Sequence, residues 1–467
     1  MSYDLKPRIG LLPLMLEMYR KYVPQIPQKQ KSFIDEVKNR FQESLDVISA
    51  EISSTNGDVE KAIKLFEDKD VDLIVIIFIS YATSLSVLKP LLETTLPVLM
   101  FSTSSKSGFG HGFTMDDILL NHGIHGYMDL SNVLRRFGRK FIFVAGKKDD
   151  LMAIGKINEW AMVSSGYKKL KNTKIGLVGY TFDGMGDFGV DTTRLYGTIG
   201  PEVVHIPLDL IAEKLREVRS EEIEREIKRD LKNYDKESSV SSDILEESER
   251  FYIALKRIVE EMELNGITMH FQGVLENPDI KTVPFLAISK LQDEGIVYAG
   301  EGDVLGVTGG LILKVLNREV YFTEPFCPSF DNNRILMAHM GESNPAFGKK
   351  VVLRRKKFAF GRAIDPVIMD IEIEEGEATF INFGIGAGND FQIITFSGDV
   401  SRGFKASPDV DMPYFFFKPR VGLAEFLERY SCCGGTHHLS MSMGSVKSSL
   451  DKMAYLLGVG YTDLDLL

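Results

Sequence analysis

Residues 72–80 read DLIVIIFIS, a nearly unbroken run of β-branched and other apolar residues. Such a run is a strand signal, and it is far shorter than the roughly 20 residues a membrane-spanning helix needs. RIGLLPL at 8–14 and LPVLMFS at 96–102 have the same character, while Phe33, Val37, Phe41, Leu45 and Ile52 recur at helical spacing between the first two runs. Strands that alternate with helices predict a parallel sheet wrapped by helices, a doubly wound α/β domain of flavodoxin-like or Rossmann-like type over 1–170. TMDD from Thr114 resembles a capping box with Asp in place of Glu, and KFIFVAG returns as a strand. The histidines of NHGIHG are expected in a loop between two helices.

A second α/β domain, 171–320, opens at KIGLVGY (174–180). Its segment from Ile211 to Glu263 is helix-rich, and its many charges read as a solvated helix face. After about Lys350 the signal changes to alternating strands, FAFGRAI, VIMDIEIEEGEATFINFG and FQIITFSGD, separated by turns rich in Gly and Asp. A C-terminal antiparallel β-rich domain, 321–467, is the expectation, ending in the amphipathic helix SVKSSLDKMAYLLG.

Charge and composition narrow the function. A formal net charge of −11 without a basic stripe excludes a nucleic-acid partner, since phosphate binding needs a positive field. The N-terminus lacks the features of a signal peptide, no apolar run reaches membrane-spanning length, and three cysteines supply no disulfide framework, so a cytoplasmic enzyme without membrane contact is expected. Adjacent Cys432 and Cys433 are expected as small core or pocket-wall residues. No P-loop, G-x-S-x-G or H-E-x-x-H is present, and neither GLVGYTFDGMG nor GIGAGND forms a dinucleotide-binding turn.

The polar chemistry concentrates at a few points. Eight histidines are unevenly spread, with His111, His122 and His125 in one Gly-rich neighbourhood and His437 and His438 in another. The double histidine of SCCGGTHHLS is either a satisfied polar turn or presents an imidazole to a metal, because glycines let backbone come close to an ion. Glu301 and Asp303 follow the apolar run GIVYAG, where an acid is costly to bury without a cation or donors; Asp303 also fits a helix cap. Glu324 in YFTEPFCPS and His339 in RILMAHMGE are each set in apolar surroundings. Together Glu301, Glu324, His339 and His438 make a two-carboxylate, two-imidazole set suited to a divalent ion such as manganese, with cobalt or magnesium as alternatives. His205 and His270 read as surface or core histidines without catalytic duty.

LLNHGIHG, VPFLAISKLQDEGIVYAGEGD, TEPF, LMAHMGE and GGTHH occur in the order in which similar segments occur in the L-arabinose isomerase branch of the arabinose/fucose isomerase superfamily, which the chain resembles. The resemblance implies metal ligation by Glu301, Glu324, His339 and His438, with Glu301 and Glu324 catalytic. It implies that His437 shapes the turn beside the substrate and that His125 reaches a neighbouring subunit's active site. DGMGDFG resembles the segment that sets a methionine, here Met185, against the sugar. A homo-oligomer built from trimers, trimer or hexamer, is implied, with a small sugar as substrate and aldose–ketose isomerisation as the reaction. PRIGLLPLMLEMY, YATSLSVLK and QGVLEN depart from the family's usual segments, which bears on the choice of sugar. A metal-dependent sugar epimerase or lyase, and a non-catalytic sugar-binding regulator, are the alternative readings.

Overall fold

The computed structural model describes residues 6–358 and 363–467. Residues 359–362, the middle of the strand expected at FAFGRAI, lie outside the described residues. The chain divides into two compact units, one ending at residue 168 and one spanning 169–467.

The first unit is built on five parallel strands, β1 (Arg8–Leu14), β2 (Asp46–Ser49), β3 (Leu73–Phe78), β4 (Val98–Ser102) and β5 (Ile142–Ala145), in the order β2-β1-β3-β4-β5. This is the flavodoxin-like doubly wound order. Every residue of β3 is buried, as its apolar run predicts for a central strand, and each such side chain contributes about 1.5–3 kcal/mol by leaving water. The helix Met115–Asn121 is capped by Thr114 and Asp117 in a reciprocal capping box, as TMDD predicts. The histidines do not share a loop. His122 closes that helix and His125 lies in the first turn of the next, Ile124–Arg136, so the connection is only a tight turn.

The second unit opens with four parallel strands, β6 (Lys174–Val178), β7 (Glu202–Ile206), β9 (Gly266–Met269) and β10 (Val297–Gly300), ordered β10-β9-β6-β7. The short β8 (Asp235–Lys236) instead joins β13 (Gly348–Arg355) and β14 (Val367–Ile373) in a small sheet. The remaining strands are β11 (Tyr321–Ser329), β12 (Arg334–Ala338), β15 (Gly376–Ile385), β16 (Phe391–Ser401), β17 (Tyr414–Pro419), β18 (Leu439–Met443) and β19 (Gly460–Asp463). They run in the order β15-β18-β11-β12-β17-β16-β19, and β15 also pairs with β16, so the six antiparallel strands close on themselves. Phe380, Phe396 and Phe417 fill this closed sheet, the first two stacked at 5.0 Å. The expected α/β architecture with a C-terminal antiparallel sheet is therefore present.

Two further expectations need correction. The charged segment is not simply solvated: Asp230 and Glu249 are buried, and Lys290 reaches them at 2.9 Å and 2.8 Å from the helix Phe285–Asp293. Glu226 stands 3.5 Å from the same ammonium, which also lies 4.0 Å from the centre of the Tyr252 ring. Cys432 is exposed at the end of helix Leu423–Cys432, and only Cys433 is partly buried against the barrel. No helix among the described residues is long and apolar enough to cross a membrane.

Candidate metal and sugar site

In the second unit three strand ends and the middle of a fourth strand meet at one place. Glu301 follows the carboxyl end of β10, Glu324 sits within β11, His339 follows β12, and His438 immediately precedes β18. Glu324 pairs with Ala338 across β11 and β12, which fixes it beside His339, while Thr323 pairs with Leu439 and so brings the double histidine alongside.

The turn after β10 is unusual. Glu301 has φ of 62° and Gly302 of 77°, and a left-handed conformation costs a non-glycine residue about 1–2 kcal/mol. Two contacts hold the turn: the Phe182 amide donates to the Glu301 carbonyl at 2.8 Å, and the Thr181 hydroxyl donates to the Gly302 carbonyl at 3.0 Å. A side chain at 302 would strike the backbone of Tyr180 and Thr181, and one at Gly300 would enter the His339 ring. Backbone strain held in this way is characteristic of functional sites.

The side chains converge without touching. His438 Nε2 stands 3.7 Å from a carboxylate oxygen of both Glu301 and Glu324, and His437 Nε2 stands 3.9 Å and 4.0 Å from the same two groups. These separations are too long for hydrogen bonds, so the groups face one another unbonded, as donors that would hold a cation do. Ligand atoms of Glu301, His437 and His438 all lie within 4.8 Å of one another. The Nε2 atoms of His438 and His339 are buried and have no hydrogen-bond partner. The His339 and His438 rings are 5.8 Å apart, with Phe322 4.9 Å from each.

Each imidazole is held from behind. His438 Nδ1 meets Asp303 at 3.0 Å, His339 Nδ1 meets Glu342 at 2.8 Å, and His437 Nδ1 meets Asp187 at 2.7 Å. A carboxylate on one ring nitrogen fixes the tautomer and aims the other nitrogen's lone pair, the usual support for a metal-binding histidine. Asp303 also accepts from the Gly306 amide and so caps the helix Val304–Val315, the capping role its sequence position suggested. Glu342 is further fixed by the Tyr298 hydroxyl at 2.7 Å and the Gly341 amide at 3.0 Å. Phe188 stacks on His438 at 4.6 Å.

The electrostatics separate the two central carboxyls. Burial pulls Glu301 up, but the three imidazoles outweigh it and leave the group below its ordinary value. Burial dominates at Glu324 and leaves it raised. Burial also lifts Asp303 to about 7 and drives His438 well below the usual imidazole range, which keeps that ring neutral. For His339 and His437 burial disfavours the charge, but the surrounding carboxylates outweigh it and hold both at about 9, so a cation binding at either ring would have to displace a proton from it.

Glu301, Glu324, His339, His437 and His438 are thus brought together. His125 belongs to the first unit, where its Nδ1 meets His122 Nε2 at 2.8 Å beside Tyr81. Met185 precedes the 3-10 turn Gly186–Phe188, within which Asp187 and Phe188 contact the double histidine. Asp187 and Glu342 were missed by the sequence reading. Glu342 carried a signal, an acid three residues beyond His339 in an apolar stretch, because such a buried acid requires a partner.

The model of the L-arabinose isomerase central domain matches residues 189–317, and that of the C-terminal domain matches residues 319–460. The L-arabinose isomerase of Shouchella clausii is 24% identical over 378 residues, covering 79% of this chain and 76% of that protein. The Geobacillus stearothermophilus enzyme of the same name is 23% identical over 384 residues, with coverages of 79% and 76%. L-arabinose isomerase 2 of Clostridium acetobutylicum is 24% identical over 367 residues, covering 74% and 72%.

Proposed function

From the premise that this chain belongs to the L-arabinose isomerase family, whose domain models match more than half of it, we propose a metal-dependent isomerase that interconverts an open-chain aldose and its 2-ketose. Aldose–ketose isomerisation is the activity of the family. Metal dependence rests chiefly on one observation: the partnerless, buried Nε2 of His438 faces Glu301 and Glu324 at equal distances. A neutral imidazole, a second orphaned imidazole and two carboxylates suit manganese, or cobalt or magnesium, better than a structural zinc site of cysteines. Glu301, Glu324, His339 and His438 would hold the cation. When bound, it supplies positive charge next to the enediolate oxygens that form as the proton leaves C2.

The reaction carries a proton from C2 of the aldose to C1 of the ketose, with a second proton moving between O1 and O2. Two carboxyls of opposite tendency suit this, because divergent environments separate an acid from a base. Glu301 and Glu324 are the two proton carriers in this reading, one serving the carbon-bound proton and the other the proton on the oxygens. His437, half-exposed and held by Asp187, orients the sugar. Phe188 covers the double histidine and limits water there.

His125 acting at a neighbour's site, a trimer-built homo-oligomer and a cytoplasmic location complete the reading. The three free cysteines support a reducing compartment. The departures at 7–19, 81–89 and 272–277 leave the sugar to experiment. The test is NMR of deuterium incorporation from heavy water with manganese-loaded and chelated protein, across pentoses, hexoses, deoxy sugars and sugar acids. Deuterium at C1 of a new ketose, abolished by chelation, is expected. A C2 epimer or a cleaved fragment as sole product would replace isomerase with epimerase or lyase.

A further inference from the structure

His270 is the one histidine near this site that the mechanism leaves without work. It follows the last residue of β9, and Glu301 follows the last residue of β10; since Met269 pairs with Gly300, the two sit side by side at the carboxyl ends of neighbouring parallel strands. In open α/β sheets that edge is where ligands bind. His270 is 97% buried, and neither ring nitrogen has a hydrogen-bond partner. Leaving a buried donor and acceptor unmet is costly, and a neutral imidazole carries both.

What surrounds the ring is aromatic. Phe182 lies 4.4 Å away, Tyr180 5.3 Å and Phe271 5.6 Å. A phenyl ring at 270 would suit such a cluster better than imidazole. Phe182 is also the residue whose amide holds the strained Glu301 carbonyl, and its segment runs on to Asp187 and Phe188 against the double histidine. One short segment therefore covers His270 and lines the site.

We infer that His270 is a substrate-binding residue whose imidazole hydrogen-bonds a sugar hydroxyl remote from C1 and C2 when the Phe182 ring swings aside. The inference rests on the isomerase reading and deepens it, assigning to this histidine part of the choice among aldoses. Discrimination by a site built for a hydroxyl is strong, because the analogue without it leaves the buried group unmet.

The test compares the parent with His270→Phe and His270→Gln in the full-length, manganese-loaded protein. Open-chain polyols (arabinitol, ribitol, xylitol and fucitol) and their monodeoxy counterparts are titrated calorimetrically, and KM and kcat are measured on whichever aldose the parent turns over. The Phe variant should bind polyol or aldose at least about tenfold more weakly, mostly as a rise in KM, while His270→Gln retains most of the affinity. One monodeoxy polyol should bind the parent as weakly as the Phe variant, which should not distinguish it from its parent polyol. Manganese affinity should stay within about twofold. Affinity and KM of the Phe variant within about twofold of the parent, with isomerisation intact, would overturn the His270 assignment alone. A parent that neither exchanges deuterium nor binds any polyol would overturn the isomerase reading itself, and this assignment with it.

Discussion

The second unit contains two buried knots of charge, and they are completed differently. Around Lys290, the carboxylates of Asp230, Glu249 and Glu226 gather on an ammonium that the chain itself supplies. Around His438, Glu301 and Glu324 stand apart by almost 4 Å from imidazole nitrogens that face them without bonding. Buried carboxylates need positive charge in either place. The first knot carries its cation covalently and is a strut between helices; the second, on the proposed function, takes its cation from outside, and it stands beside a strained turn.

Charge-neutralising substitutions should therefore have opposite effects in the two knots. Glu324→Gln and Glu301→Gln should each lower kcat/KM by about a thousandfold or more, with the chelated proteins melting close to the parent. Activity within tenfold of the parent would erase the distinction. Lys290→Met should cost about 3–5 kcal/mol in denaturant unfolding, whether or not manganese is present, because it strands the buried Asp230 and Glu249. A variant of undiminished stability would show the Lys290 knot to be dispensable.

The supports of the second knot should give intermediate effects. Asp303→Asn should weaken manganese binding about 10–100-fold by calorimetry, since it alters the group that fixes the His438 tautomer. His438→Ala should lower metal affinity more than His437→Ala, and the reverse order would exchange the roles of the two rings. The smallest effect is one of pH. Burial raises Glu249 to about 8 in the folded chain against an ordinary 4.5, with Lys290 opposing the shift. A raised acid contributes stability that is complete below about 4.5 and is lost as pH rises through about 8. The chelated parent should therefore lose more thermal stability than Glu249→Gln between pH 5 and pH 8. Equal losses would mean that Glu249 does not titrate in this window.

The two knots also show what could be read from residues alone. RIGLLPL, DLIVIIFIS and LPVLMFS announced β1, β3 and β4 because burial on a strand is written locally, in consecutive residues. The acids that converge on the metal-site candidate were conspicuous for a similar reason, each being set in an apolar stretch. Asp230 and Glu249 were misread as solvated because their neighbours in sequence are charged and their partner, Lys290, comes from a different helix. Asp187 was invisible for the same reason, its histidine lying 250 positions away. His270 carried no local signal at all; only the register of β9 with β10 sets it beside Glu301.

The closed ring of β15, β18, β11, β12, β17 and β16 has a consequence for the order of assembly. Strand β18, which follows His438, is the last of the six to leave the ribosome, and it fills the gap between β11 and β15. A nascent chain that has already made Glu301, Glu324 and His339 still lacks both the final imidazole and the strand that seals the ring. On the proposed donor set, ring closure and arrival of the last imidazole fall together in biosynthesis, and a product truncated before His438 presents the acids with only half of that imidazole set. On the proposed metal-dependent function, the topology ties cation binding to completion of this ring.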